Sequence, residues 1–127
     1  MDATRLLPDE LIAHLRAHAA GNPAATAAVE LLIQHDSWIH APAFLRHAVQ
    51  LSGDKAWIEW ANATSALDSG ALPCSAGEEA MLRIAASIAA DIPVPLGRHL
   101  ASLDERNREI VAAAIRHAAG APVRWPA

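Results

Sequence analysis

Signals that start and stop helices recur along the chain, and they constrain its fold more than any other feature. Pro8, Pro23 and Pro42 each stand where a proline suits the first turn of a helix. Gly21 and Gly120 follow apolar segments, as the glycines that end helices do. Between these signals, apolar residues recur every three or four positions, which places them on one helix face. The sequence therefore predicts a series of short helices joined by short connections.

Further start signals come from side chains that can cap a helix. In the capping box, a serine and a glutamate three positions later satisfy each other's free backbone N–H groups. Ser75–Glu78 and Ser102–Glu105 both match this pattern. The first opens the clearest predicted helix, which Pro93 stops, and the second opens the last long helix. Asn22 is a third predicted cap, since a first-turn proline follows it.

The segment Ala56–Leu67 is the one stretch with an ambiguous pattern. Trp57–Trp60 alternates as a strand does, yet the apolar residues of the whole segment also fit helical spacing. We expect the helix opened by Pro42 to end at Ser52–Asp54, so a lone strand would lack a partner. We therefore predict a helix that begins near Trp60. Whether Ala56–Leu67 is helical throughout stays open.

These elements predict one all-α domain over residues 1–127. The expected architecture is a compact bundle of five to six short antiparallel helices with no sheet, because short connections favour antiparallel neighbours. Residues 121–127 form a proline-bearing tail. Hydrophobic residues make up 53% of the chain but aromatic residues only 4%, so we expect a core of Leu, Ile, Val and Ala. A chain of this length buries roughly two thirds of its unfolded surface, which is enough to fold without disulfides.

The sequence carries no feature of export or of a membrane segment. Its N-terminal residues include Asp2 and Arg5, with no apolar run of signal-peptide length. No stretch approaches the about 18 apolar residues of a membrane span. Cys74 is the only cysteine, which excludes an intramolecular disulfide. We expect a cytoplasmic protein without a membrane partner, and the bias to alanine and arginine suggests a bacterial source.

The pair His35-Asp36 is the first candidate for chemistry, since it ends an apolar segment. An imidazole and a carboxylate together can hold a divalent metal that activates water. The pair resembles the centre of the HD-type metal phosphohydrolases, which are all-helical. That resemblance implies a metal bound by His35, Asp36, an earlier histidine and a later aspartate. The candidates for the last two are His14 or His18 and Asp91 or Asp104.

The positions after the pair depart from that family. Ser37 and Trp38 stand where glycine and lysine are common, which puts the metal site in doubt. In the alternative interpretation, His35 and Asp36 cap and solvate the end of the second predicted helix. A cationic histidine at that place complements the helix dipole.

Other histidines raise the possibility of a second metal site. His14 and His18 share a helix face at i and i+4. The zinc-protease motif would need a glutamate after the first of them, where Leu15 stands. The next histidines along the chain are His35, His40 and His47. A polar rim is the alternative to a metal site, and whether these five histidines converge in space stays open.

The tryptophans are candidates for an interaction surface. Trp38, Trp57 and Trp60 fall around the third predicted helix and its flanks. Tryptophan is enriched at binding hot spots, where it is often among the few residues that carry most of the binding energy. It is equally a packing residue in a core with few aromatics. We predict that this group contributes a surface for a partner.

Cys74 is a weaker candidate for a nucleophile. It precedes a predicted helix N-terminus, a position that lowers the pKa of a thiol. A nucleophile also needs a base, for which His99 or His117 are the candidates. The alternative interpretation is a small, partly buried side chain.

The favoured function is a small non-catalytic protein-interaction or regulatory module that binds a protein partner or itself, with no cofactor. One alternative is a metal-dependent phosphohydrolase-like domain centred on His35-Asp36, which would bind a divalent metal. Another is a nucleic-acid-binding regulator, which the net charge of -4 disfavours. The basic residues it would use are Arg98, Arg106, Arg108, Arg116, His117 and Arg124.

Overall fold

The computed structural model describes residues 2–126, which form seven α-helices and one two-stranded sheet. The helices are α1 (Pro8–Ala19), α2 (Pro23–His35), α3 (Pro42–Ala48), α4 (Trp60–Asp68), α5 (Ala76–Ala90), α6 (Leu96–Leu100) and α7 (Glu105–Ala118). The strands are β1 (Val49–Ser52) and β2 (Lys55–Ile58), and short 3-10 turns cover Ala3–Arg5 and Trp38–His40. The predicted helical class is confirmed, with more helices than expected, whereas the prediction of no sheet is wrong.

The sheet is an antiparallel hairpin in the place where α3 was expected to continue. Its register leaves Gly53-Asp54 as a two-residue turn between β1 and β2. Gly53 has a φ of 61°, and glycine at the first central position is typical of the type II′ turn that suits twisted hairpins. The predicted helix stop is therefore a hairpin turn. Trp57 does have a strand partner, because it pairs with Gln50.

Most predicted helix starts are confirmed. Asn22 caps α2, with its side-chain oxygen accepting a bond from the Ala25 N–H at 3.1 Å. The capping box at the start of α5 forms as predicted, and α4 begins at Trp60. The predicted cap of the last helix is wrong. Asp104, rather than Ser102, caps α7 by accepting a bond from the Asn107 N–H at 2.8 Å.

Helix α2 lies at the centre of the fold and packs against α1, α5 and α7. Its inward side chains include Leu31 and Leu32, both fully buried. Burying a large aliphatic side chain contributes about 1.5–3 kcal/mol. Small side chains let the neighbouring helices come close, and buried examples are Ala27, Ala28, Ala85 and Ala114. The core thus has the aliphatic composition that the sequence predicted.

Peripheral elements complete the packing. Strand β2 lies against α1, and β1 contacts α3. In the tail, Trp125 packs against the core and lies 6.2 Å from the ring of His117, measured between centroids. The last tail residue, Ala127, lies outside the described residues. No helix in residues 2–126 combines the length and the apolar character that crossing a membrane requires.

Candidate functional site

His35 and Asp36 lie at the C-terminal end of α2. Asp36 ends the helix in the left-handed conformation, with a φ of 67°, and its carboxylate lies 2.8 Å from Nε2 of His40. His35 is half-buried, and its Nδ1 has no hydrogen-bond partner among the described residues. Burial lowers the pKa of His35, and the nearby Glu78 carboxylate only partly opposes this shift. The imidazole is therefore neutral at neutral pH.

Of the residues predicted to share a metal with this pair, Asp104 lies near enough to act on the pKa of His35, whereas the others do not gather around the pair. His14 and His18 belong to α1 and lie near the start of α2, because His18 and Asn22, the residue that caps the start of α2, line the same cavity. His35 and Asp36 lie at the other end of α2. A helix of this length spans about 20 Å. Asp91 caps the far end of α5. Across residues 2–126, no three His, Cys, Asp or Glu side chains are grouped so that they could hold a metal ion.

The end of α2 instead forms a hydrogen-bonded junction with the start of α5. The Glu78 carboxylate accepts bonds from the Ser37 hydroxyl at 2.6 Å and from the Ser75 N–H at 2.9 Å. The indole N–H of Trp38 donates to the Glu78 carbonyl at 2.9 Å. The bonds from Ser37 and Ser75 to the carboxylate, that from Ser37 above all, lower the pKa of Glu78. The junction therefore holds helices together through a charged carboxylate.

Trp38 belongs to this junction and to the core. Its side chain is only 4% exposed, and its ring packs at a tilt against Phe44 with centroids 5.6 Å apart. A buried indole can contribute little to a binding surface. The structure thus separates Trp38 from the two other tryptophans that the sequence grouped with it.

Trp57 and Trp60 remain partly exposed on another face. The alternation of side chains along β2 buries Ala56 and Ile58 and turns Trp57 to the opposite side of the hairpin. There the ring of His18 stacks on the indole of Trp57, with centroids 5.2 Å apart and planes at 24°. The indole N–H donates to a Glu59 carboxylate oxygen at 2.8 Å. Trp57 is therefore held in one orientation while part of its surface stays open.

An apolar cavity of about 220 Å³ opens beside this stack. Trp57 and Trp60 form part of its lining, and the buried Leu15 and Ile58 contribute from α1 and β2. The rest of the lining is His18, Ala19, Asn22, Ala25 and Val29. The cavity thus presents mainly aliphatic and aromatic surface, and apart from the two tryptophans its only lining residues with polar side chains are His18 and Asn22.

A second cavity, of about 390 Å³, adjoins the first through His18. Its lining is polar and comes from the second half of α1 and the hairpin turn: His14, Ala17, His18, Asp54 and Lys55. Within the described part of the chain, the side chains of His14, Asp54 and Lys55 make no hydrogen bond or ion pair of their own. We call the two cavities together the α1–β2 groove.

The two tryptophans of this groove were predicted from the sequence, whereas the groove itself was not. The signal that could have found it is the dipeptide Gly53-Asp54 between two short runs rich in apolar residues, which is typical of a tight hairpin turn. A hairpin there brings Trp57 and Lys55 against α1. That contact was not predicted, because the helix opened by Pro42 was expected to continue to Ser52–Asp54.

The chain matches no family model, no curated protein and no solved structure.

Cys74 lacks the features of an activated nucleophile. Partial burial raises the pKa of its thiol, and the carboxylates of Glu79 and Glu78 raise it further. The pKa of the thiol is therefore not lowered as expected from the helix N-terminus, because burial and the two carboxylates of this turn of α5 all act in the opposite direction. The thiol is protonated at neutral pH and is a poor nucleophile.

Four of the late arginines are divided between two places. Arg106 donates to the Gln34 carbonyl at 3.0 Å, and Arg108 donates to the Leu103 carbonyl at 3.3 Å, so both support the start of α7. Arg116 and Arg124 line a cavity of about 350 Å³ between α7 and the tail, together with Glu109. Arg106 and Arg108 thus stabilise the start of α7, whereas Arg116 and Arg124 line a cavity that also contains the carboxylate of Glu109.

Proposed function

We propose that this chain is a non-catalytic helical protein-interaction module and that the α1–β2 groove binds a segment of its partner. The observation that carries the proposal is the stack of His18 on Trp57, which stands where an apolar cavity meets a polar one. Tryptophan beside a desolvated pocket is typical of the few residues that dominate binding energy. A polar edge next to that pocket is typical of the rim of such interfaces.

The dimensions of the groove favour side chains over a small-molecule ligand. Pockets for drug-sized ligands usually measure about 300–1,000 Å³ and enclose most of the ligand. The apolar cavity, at about 220 Å³, is smaller than that range. The polar cavity lies near its lower end, at about 390 Å³. Two small adjoining cavities suit two side chains of one partner segment.

The rigidity of Trp57 supports the same function. Its ring is fixed by the stack on His18, by the hydrogen bond to Glu59 and by the strand pairing of β2. Ordering a free side chain on association costs roughly 0.5–1.5 kcal/mol. A ring that is already ordered avoids that cost, so more of its contact area contributes to affinity.

A selection from a displayed library of random twelve-residue peptides tests the proposal. We expect enriched peptides to bind the chain and to shift the indole N–H signals of Trp57 and Trp60 in NMR spectra, while those of Trp38 and Trp125 change little. Trp57→Ala should weaken binding at least tenfold. Ile115→Ala is the matched control, because Ile115 is an apolar side chain that is 49% exposed and lies on α7.

Two outcomes would overturn the proposal. One is the absence of enrichment over an unrelated bait protein. The other is enrichment of peptides whose affinity is unchanged by Trp57→Ala although the variant folds as the parent does by circular dichroism. Loss of folding in Trp57→Ala would leave Trp60→Ala and the NMR signals to decide between these outcomes.

A further inference from the structure

We infer that the cavity between α7 and the C-terminal tail binds a small organic acid, whose carboxylate is held by Arg116 and Arg124 while its apolar body contacts the walls. The cavity measures about 350 Å³. Sites for small ligands usually measure about 300–1,000 Å³. This site is separate from the α1–β2 groove and does not depend on the proposed function.

The cavity forms because the chain turns back at the end of α7. Gly120 has a φ of 84°, the left-handed conformation in which helices commonly end. Its N–H donates to the His117 carbonyl at 2.9 Å, and the Ala121 N–H donates to the Arg116 carbonyl at 3.0 Å. These bonds turn the tail back along the helix. They also occupy carbonyl groups that would otherwise oppose an anion at this helix end.

Two features of the tail hold the cavity in shape before a ligand binds. Trp125 packs against the core, and its ring lies 6.2 Å from that of His117, measured between centroids. Pro122 and Pro126 fix the φ of their own positions, which limits the conformations of the tail backbone. A cavity that is ordered in advance loses little conformational entropy on binding.

The walls of the cavity are largely apolar. The spacing of Glu109, Ala112, Ala113 and Arg116 places them on one face of α7, so the two alanines lie between the two charged residues. The tail contributes further apolar surface from Val123, Trp125 and Pro126. A hydrocarbon or aromatic body in contact with these side chains is removed from water, which favours binding.

The charges of the cavity favour an acid over a neutral ligand. Two guanidinium groups, from Arg116 and Arg124, face one carboxylate, that of Glu109, among the described lining residues. No ion pair within residues 2–126 involves any of these three side chains. Glu109 precedes Arg116 by seven residues, or about 10 Å along the helix axis. A guanidinium can donate two parallel bonds to a carboxylate, which makes arginine well suited to bind an acid.

NMR titrations with phenylacetate and cyclohexylacetate, each compared with its amide, test this inference. We expect the acids to bind with dissociation constants on the order of 1 mM, as befits ligands of this size. They should shift the indole N–H signal of Trp125, while the signals of the other three tryptophans stay in place. The amides should bind about tenfold more weakly, a difference of about 1.4 kcal/mol.

Variants of the charged side chains assign this preference to the cavity. Arg116→Gln and Arg124→Gln should each weaken the binding of phenylacetate and leave that of its amide unchanged. Glu109→Gln should strengthen the binding of phenylacetate, because it removes a like charge. Arg98→Gln is the control, since it removes an exposed arginine of α6 that does not line the cavity. All four side chains are exposed, so the variants should fold as the parent does by circular dichroism.

Three outcomes would overturn the inference. One is equal binding of the acids and their amides. Another is a preference for the acid that survives in the double variant of Arg116 and Arg124. The third is a Trp125 signal that does not move up to about 10 mM acid, whether or not the signals of Trp57 and Trp60 do. None of these outcomes bears on the α1–β2 groove, which the peptide selection tests separately.

Discussion

The imidazole of His18 lies parallel, to within 24°, over the indole of Trp57, and so joins the last turn of α1 to the strand β2. The contact packs α1 against β2 and also shapes the surface of the α1–β2 groove. It covers one face of the indole and leaves the rest at the meeting point of two cavities. Stacked aromatic pairs contribute about 0.5–1.5 kcal/mol beyond the area they bury.

The first prediction compares two tryptophans with different surroundings. Trp38→Ala should lower the free energy of unfolding by about 3–5 kcal/mol, because it empties a buried site. Trp57→Ala should cost about 1–3 kcal/mol, because part of that ring is already exposed. Urea denaturation followed by circular dichroism measures both. Equal losses would contradict the assignment of Trp38 to the core and of Trp57 to the groove.

The second prediction concerns pH and two histidines. Burial lowers the pKa of His35, and it lowers the pKa of His99 together with the neighbouring Arg98. The unfolded chain therefore binds protons more readily than the folded chain as the pH falls below about 6.5. The free energy of unfolding should decrease over the window that begins as the pH falls below about 6.5 and ends at the lower pKa values of the folded chain, and it should be greater above this window.

Variants identify the groups responsible for that decrease. His35→Gln and His99→Gln should each flatten the dependence of unfolding free energy on pH in this window. His47→Gln is the control, since that side chain is exposed on α3. A decrease of the same steepness in the double variant of His35 and His99 would show that other groups cause it.

The third prediction concerns the carboxylate that joins α2 to α5. Glu78→Gln should lower the free energy of unfolding by about 1–2 kcal/mol at pH 7, because it weakens the bonds from Ser37 and Ser75. The pKa of Glu78 is lowered, so its contribution is complete above about pH 4.3 and disappears as the pH falls through the folded value. The gap between parent and variant should therefore close in acid.

Glu105→Gln is the matched control for that experiment. Glu105 also stands in the first turn of a helix, at the start of α7, but its exposed side chain makes no hydrogen bond within residues 2–126. Chemical denaturation of the three proteins at pH 7 and pH 3.5 provides the comparison. If Glu105→Gln costs as much as Glu78→Gln, the helix dipole rather than the junction accounts for the effect.

The fourth prediction concerns the phosphohydrolase alternative. We expect protein loaded with Mn²⁺ or Zn²⁺ and then desalted to retain little metal, and His35→Ala to leave that amount unchanged. The reason is that His14 and His18 lie near the start of α2, whereas His35 and Asp36 lie at its end. Metal analysis of parent and variant measures this. Near-stoichiometric metal that is lost in both His35→Ala and Asp36→Ala would revive the alternative.

The helix starts were predictable because their causes are local. A proline in the first turn, or a side chain such as Asn22 that bonds a backbone N–H three residues on, acts within a few positions of the chain. The exception was α7, where Asp104, a side chain that can also cap a helix, stands two residues after the predicted cap Ser102. Leu103, which lies between Ser102 and Asp104, is buried with only 4% of its surface exposed. The residue that caps α7 is Asp104, which follows this buried side chain.

The hairpin and the groove were harder to predict because they depend on contacts between separate segments. Gly53-Asp54 suits a helix end and a hairpin turn equally well, and only the pairing of β1 with β2 decides between them. Likewise, the sequence does not say whether another element covers Trp38 or Trp57. That depends on how α5 and α1 pack against them.

The shared carboxylate of Glu78 has a consequence for how the molecule opens. The first turn of a helix normally frays at little cost, because few contacts hold it. Here the same side chain completes the cap of α5 and binds Ser37, 41 residues earlier in the chain. Unwinding that turn must also release the end of α2 from its neighbour. Hydrogen exchange at the start of α5 should therefore proceed only through a cooperative opening that includes both helices.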